Sequence, residues 1–219
     1  MIELLISAIS SVFVNIFFLM SIPLIWWFIF HRKKVSFLKF IGLTRPRLKR
    51  SFVILIGFMA VYVIFYFTDI FRLIVPLFGE DFDALRTALR ENGSMQDNAY
   101  YRMGFAALLP GFILTFIANG ICEEALFRGF ILRRLKEVLR PWPATIIQGL
   151  LFGLLHNILF LLGGVSVGLA YHVAMFLNAS IAGVLLGVLN EEVFDGESIV
   201  PSIIVHGLGN YLGIVIVAF

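Results

Sequence analysis

Two adjacent glutamates, Glu123 and Glu124, stand in the middle of an apolar run from Ile117 to Leu132. An ionised carboxylate at the centre of a membrane helix costs ~2.5 to 3.5 kcal/mol on insertion scales, so a pair of them demands a reason. Arg128 follows Glu124 by four residues, which puts both on one helical face and predicts a buried ion pair. Glu123 points about 100° away from that face and is left free of the pair. A carboxylate held in an apolar cavity is suited to take or give a proton near neutral pH.

His156 closes the segment Phe152-Gly-Leu-Leu-His156, and no other charged or histidine side chain lies between Arg140 and His172. A histidine in such surroundings needs a buried partner. His206 and Asn210 are four residues apart in an apolar segment that begins at Val200. They face the same way on a helix and form a pair of hydrogen-bond donors. Counting helical rise, Glu123 lies roughly 15 Å in from Arg133, His206 roughly 13 Å in from Glu197, and His156 roughly 22 Å in from Trp142. The first two depths agree, and the third agrees if its helix starts later or tilts. His172 has no motif partner and reads as a residue near the outer interface, while His31 belongs to a basic cluster. Cys122 is the only cysteine. It excludes an internal disulfide and reads as a small, inert hydrophobe.

The elements that must position these residues are membrane helices. Hydrophobic residues make up 60% of the chain and charged residues 14%, against roughly a quarter charged in soluble domains. A water-soluble fold is excluded on that ground. The apolar runs are long and unbroken rather than short and alternating, which excludes a transmembrane barrel. The fold class is therefore all-α, a polytopic transmembrane helical bundle with about six spans. The spans are expected at Ile2 to Phe30, Ser51 to Phe78, Gly104 to Leu132, Trp142 to Leu162, Val165 to Leu189 and Ile199 to Phe219. The first is too long for a signal-peptide core and reads as part of the mature chain. Residues 1–103 form an N-terminal two-span region, and 104–219 the core that carries the chemistry. Glycine pairs at helical spacing, Gly149 with Gly153, Gly183 with Gly187 and Gly209 with Gly213, predict close packing of the C-terminal helices.

Charge sets the orientation. Residues 31–50 hold eight Lys or Arg, interleaved with Phe37, Leu38, Phe40, Ile41 and Leu43, and read as a basic segment lying on anionic lipid. A second basic patch spans 128–140. Both patches belong on one side, which the positive-inside rule makes cytoplasmic, with both termini outside. The loop from Gly79 to Met103 is mildly acidic, with Glu80, Asp81, Asp83, Glu91 and Asp97 against three arginines, and Glu191 to Ser198 is an acidic link. Basic residues placed at the ends of spans encode membrane orientation, and nucleic-acid binding is not expected.

Glu123-Glu124-Ala-Leu-Phe-Arg128 resembles the EExxxR motif of the CPBP intramembrane proteases, the Abi-like family that contains the type II CAAX prenyl endopeptidases. Phe152 to His156 is similar to that family's FxxxH, and His206 to Asn210 to its HxxxN. Three motifs in order on separate spans are far more specific than any one of them, and the resemblance covers residues 104–219. It implies that Glu123 and His156 activate a water, that His206 and Asn210 stabilise the oxyanion formed on a peptide carbonyl, and that Glu124 with Arg128 holds the helix. The family has been described both as metal-dependent, a metalloprotease, and as a glutamate-type peptidase. The chain has no HExxH, although Glu123, His156 and His206 could supply three ligands to a divalent metal such as zinc. The implied substrate is a membrane-anchored or prenylated protein or peptide, met in the cell membrane at a site opening towards the cytoplasmic side. Two readings from other classes stand beside it. One is a proton-coupled transporter in which Glu123, His156 and His206 relay protons, and the other a non-catalytic immunity or partner membrane protein.

Overall fold

The computed structural model describes residues 2–46, 51–91, 98–162, 167–193 and 196–219. Arg47, Lys49, Arg50, Asp97, Val165 and Asp195, which entered the charge and boundary readings, lie outside them. The chain is a multi-pass helical membrane protein, and its described residues contain no strand.

Among the described residues, five helices are long and apolar enough to cross a membrane: α1 Ile2–Phe30, α6 Gly104–Leu135, α7 Pro141–Leu162, α8 Leu169–Glu191 and α9 Val200–Ala218. Between α1 and α6 lie the short α2 Phe37–Phe40, then α3 Ser51–Phe67, α4 Ile70–Ile74 and the amphipathic α5 Phe82–Glu91. The second span expected from Ser51 to Phe78 is not one rod. Leu55–Phe65 and Ile70–Phe78 meet at an angle of 40°. The cause is at Asp69, whose backbone takes the left-handed conformation, φ 47°, available at low cost mainly to Gly, Asn and Asp. Its carboxylate accepts from the backbone N–H of Arg72 at 3.4 Å and so starts the new helix.

Apolar packing sorts the ends of the spans. Ala8 of α1, Ala107 of α6 and Ala218 of α9 share one buried cluster with Tyr100, so the start of α1, the start of α6 and the end of α9 lie together. At the other end, Phe40 and Ile41 pack with Phe127 and Phe130 of α6 and Ile199 and Ile203 of α9. This second end carries the basic residues. Arg133 donates to the carbonyls of Phe40 (3.3 Å), Gly196 (2.9 Å) and Glu197 (3.4 Å), and Ile199 N–H donates to Gly42 O at 2.9 Å. Lys136 pairs with Glu191 beside them. In the basic segment, Phe40 and Ile41 are turned into the protein, Phe37 is half-buried, and Arg32, Lys33, Lys34, Lys39 and Arg45 are exposed.

The pair α7 and α8 approaches closely, backbone to backbone, and glycine is what permits it. A Cβ on Gly183 would stand 2.9 Å from the Cα of Gly149, and one on Gly153 2.6 Å from the carbonyl oxygen of Phe176. Side chains at these positions would force the helices apart.

Candidate active site

Helix α6 is not uniform where it carries the two glutamates. Wide i→i+5 turns cover Ile113–Ile121 and Phe127–Leu132, with an ordinary helical turn, Cys122–Leu126, between them. Wide turns of this kind are frequent at functional sites. Here they flank the turn that sends Glu123 and Glu124 in different directions.

Glu124 goes behind the site. Its Oε1 accepts from Arg128 Nη1 at 2.9 Å, and both side chains are fully buried, the ion pair expected from their spacing. Arg128 Nη2 donates to Gly183 O at 3.0 Å, which ties α6 to α8 at the glycine contact. The same Glu124 oxygen lies 2.9 Å from Nδ1 of His206. A carboxylate paired with a guanidinium can only accept, so Nδ1 of His206 carries the hydrogen and donates it. Spacing along one helix did not reveal this third role of Glu124, because its partner is 82 residues away.

Glu123 faces a cavity. Its side chain is 12% exposed, and Oε2 makes no hydrogen bond in the structure. Nε2 of His156 and Nε2 of His206 each lie 3.9 Å from that oxygen. That distance is too long for a direct hydrogen bond and is the span that one water bridges. His156 is fixed from behind, as His206 is, its Nδ1 lying 2.8 Å from the carbonyl oxygen of Phe152. A carbonyl accepts, so in the neutral ring Nδ1 carries the hydrogen and Nε2 turns a lone pair towards Glu123. Phe152 serves as a platform, with the Arg128 guanidinium 4.7 Å from its ring centre on one side and the His156 ring at 4.5 Å. Asn210 completes the four, lining the same cavity one turn beyond His206.

The geometry does not fit a metal. Among the described residues no group of three or more His, Cys, Asp or Glu could hold one. A zinc bound at 2.0–2.1 Å to three donors sets them about 3.4 Å apart, closer than the 3.9 Å separating Glu123 from each histidine.

The cavity measures about 520 Å³ and is partly open. Its walls contain residues that spacing did not single out: Thr115 and Asn119 on α6, Asn178 on α8, and Tyr62 and Phe65 on α3. Asn119 was within reach of the sequence, since it stands four residues before Glu123 on the same face. Asn15 of α1 donates to Ala118 O at 2.9 Å and to Asn119 Oδ1 at 3.3 Å, which leaves the Asn119 amide hydrogens for the cavity. His172, read as lacking a motif partner, pairs instead with Asn157. Its Nδ1 lies 2.9 Å from Asn157 Oδ1, and Asn157 Nδ2 donates to its backbone carbonyl at 3.0 Å.

The expected opening towards the basic, cytoplasmic face does not match these walls. On α6 the lining runs from Glu123 back to Leu114, and on α7 from Phe152 forward to Phe160. On α8 it runs from Ala182 back to Tyr171, and on α9 from His206 forward to Ile214. The stretches on α7 and α8 lie mostly in the half of the helix away from the basic end, and those on α6 and α9 occupy the middle of the span. On the other side the bundle is solid: Arg128, Leu132, Gln148, Leu186, Leu189, Ile199 and Val205 are at most 1% exposed.

No curated protein and no solved structure matches the chain. Residues 105–212, about half of it, match the family model described as Type II CAAX prenyl endopeptidase Rce1-like, over the stretch that holds Glu123, Glu124, Arg128, His156, His206 and Asn210. Through this C-terminal half the chain belongs to the CAAX-type intramembrane protease family.

Proposed function

We propose that this protein is an intramembrane endopeptidase that hydrolyses one peptide bond of a membrane-associated or lipidated protein or peptide, using a water held between Glu123 and His156. The observation that carries the reading is the buried, unpartnered Glu123 Oε2 with two imidazole nitrogens at 3.9 Å. A water in that gap donates to Glu123 and to Nε2 of His156, which aims its lone pair into the cavity. Glu123 takes a proton as the water oxygen bonds to the carbonyl carbon, and returns it to the leaving nitrogen as the C–N bond breaks. The products are a carboxylic acid and an amine. A base so positioned is worth roughly 10² to 10⁴ in rate.

The oxyanion needs donors, and Asn210 supplies its amide. His206 donates from Nε2 only when its ring is doubly protonated, because Nδ1–H is already committed to Glu124. Glu124 is the counter-ion for that form, so the acidic residue behind the site supports the chemistry as well as the helix. A donor aimed at an oxyanion contributes ~3 to 4 kcal/mol.

The test is cleavage of a pooled library of membrane-anchored and lipidated peptides by the purified protein in detergent, wild type against Glu123→Ala. Products that vanish in the variant are the expected result. Equal turnover by a well-folded variant, or no cleavage by the wild type across the library, overturns the assignment.

A further inference from the structure

We infer that the site receives its substrate from the side of the membrane opposite the basic face, the extracytoplasmic side, and that the cleaved segment is an extended, apolar-flanked stretch of a membrane-anchored protein exposed there. This rests on the peptidase reading for the chemistry, while the side of access rests on geometry alone.

Two independent observations define the side. The first is charge. Of the described Lys and Arg, five within 31–46 and four within 133–140 lie at one end of the bundle, whereas Arg72, Arg86, Arg90 and Arg102 stand at the other. Such asymmetry next to membrane spans retains the basic end in the cytoplasm. The second is where the bundle is hollow. Glu123, His156 and His206 form the floor of the cavity, and from them its walls extend mainly towards the poorer-charged end. Between that floor and the basic face stand the buried Glu124–Arg128 pair and, at the face itself, the Arg133 bonds to Phe40, Gly196 and Glu197. A peptide coming from the basic side would have to break both.

The walls also describe the occupant. Near the floor, three carboxamides, Asn119, Asn178 and Asn210, line the space on three different helices. Such groups match the donors and acceptors of an extended peptide backbone. Towards the mouth the lining turns aromatic, and Tyr171 packs between Phe71 at 5.0 Å and Phe160 at 4.9 Å. A segment with apolar side chains on either side of its scissile bond fits this order.

The experiment uses the sole cysteine to advantage. In a Cys122→Ala background, single cysteines are placed in the cavity wall, Met175→Cys with Leu159→Cys as a second choice, and on the basic face, Lys34→Cys. A membrane-impermeant maleimide is applied to intact cells and to inverted vesicles. The cavity cysteine is expected to label at least ten-fold faster in intact cells, and Lys34→Cys at least ten-fold faster in inverted vesicles. Faster cavity labelling in inverted vesicles, labelling of Lys34→Cys in intact cells, or no cavity labelling from either side overturns the inference. In parallel, oriented proteoliposomes receive the same peptide library anchored in the outer or the inner leaflet, with Glu123→Ala as blank. Cleavage confined to peptides on the side opposite Lys34 is expected, and cleavage confined to the Lys34 side overturns the inference. Absence of cleavage on both sides sinks the peptidase reading, and the labelling still decides the side.

Discussion

The two neighbouring glutamates are chemically alike and differ in every contact. Glu124 is fully buried, with Arg128 and His206 each 2.9 Å from one of its oxygens, whereas Glu123 is 12% exposed and leaves an oxygen without a hydrogen bond. Their substitutions should therefore part company. Glu124→Ala strands a buried guanidinium, a change that costs about 3–5 kcal/mol, so a large drop in thermal unfolding temperature in detergent is expected, together with loss of activity. Glu123→Gln removes no paired charge and is expected to leave the unfolding temperature unchanged or raised while cleavage falls roughly 10² to 10⁴-fold. Asn119 belongs to a third kind. Its amide reaches the cavity while Asn15 holds its oxygen, so Asn119→Ala should raise KM about five-fold, the equivalent of one ordinary hydrogen bond, with kcat little changed. Steady-state kinetics on the library's best peptide separates the two parameters. The Glu124–Arg128 pair was legible because four residues is the repeat of a helix face. The bond from Glu124 to His206 was not, since no periodicity within a helix encodes which face of a distant helix it will meet.

Among the elements, the most informative departure from a plain reading of hydropathy is the second span. Its apolar residues run from Phe52 to Phe78, interrupted only by the polar Thr68, Asp69 and Arg72, and a rod long enough to cross the membrane follows from that pattern. Asp69 ends it, by adopting φ 47° and capping the next helix. Asp69→Gly should be tolerated and Asp69→Val should destabilise, because a β-branched residue in left-handed backbone is strained by about 1–3 kcal/mol; thermal melts of the two variants give the comparison. The glycines tell the opposite story. Their helical spacing was visible in the sequence, and Gly149 and Gly183 do meet across α7 and α8. Gly149→Leu is expected to cost more than the 1–3 kcal/mol typical of overpacking, as backbone stands where the new side chain would go, and a melt again reads it. The wide turns of α6 had no visible signal. The first of them contains Ala118, whose carbonyl oxygen accepts from Asn15 of α1.

For the whole molecule, the number of crossings decides where the C-terminus lies. If the bent pair Leu55–Phe65 and Ile70–Phe78 crosses as one broken span, six crossings return both termini to the same side. The shared packing of Ala8 with Ala218 supports this count. Reporter fusions should place Phe219 and the loop before Gly104 outside, and a reporter after Phe40 inside. A cytoplasmic C-terminal reporter would mean that the bent pair re-enters on the side it left. Composition made the class of fold plain, and the motifs named the chemistry. Which half of the bundle would be hollow was beyond both, because it depends on volumes summed over five helices.

That division between a filled half and a hollow half is also a division of stability. Local opening is cheap where few buried contacts must be broken and expensive where a dense apolar and ionic core must come apart together. The filled half is closed by Arg133, by the Glu124–Arg128 pair and by a run of side chains at most 1% exposed, and it should behave as one cooperative unit that yields only on global unfolding. The ends of α7 and α8 around the cavity mouth, beyond His156 and before Asn178, should breathe separately and far more often. The cavity floor lies on the boundary between the two. Its residues are anchored in the slow unit and face the fast one, so helices at the mouth can part to admit a chain without disturbing the distance from Glu123 to its two histidines. Amide hydrogen exchange would resolve the boundary directly, as a step in protection along α7 between Phe152 and Phe160.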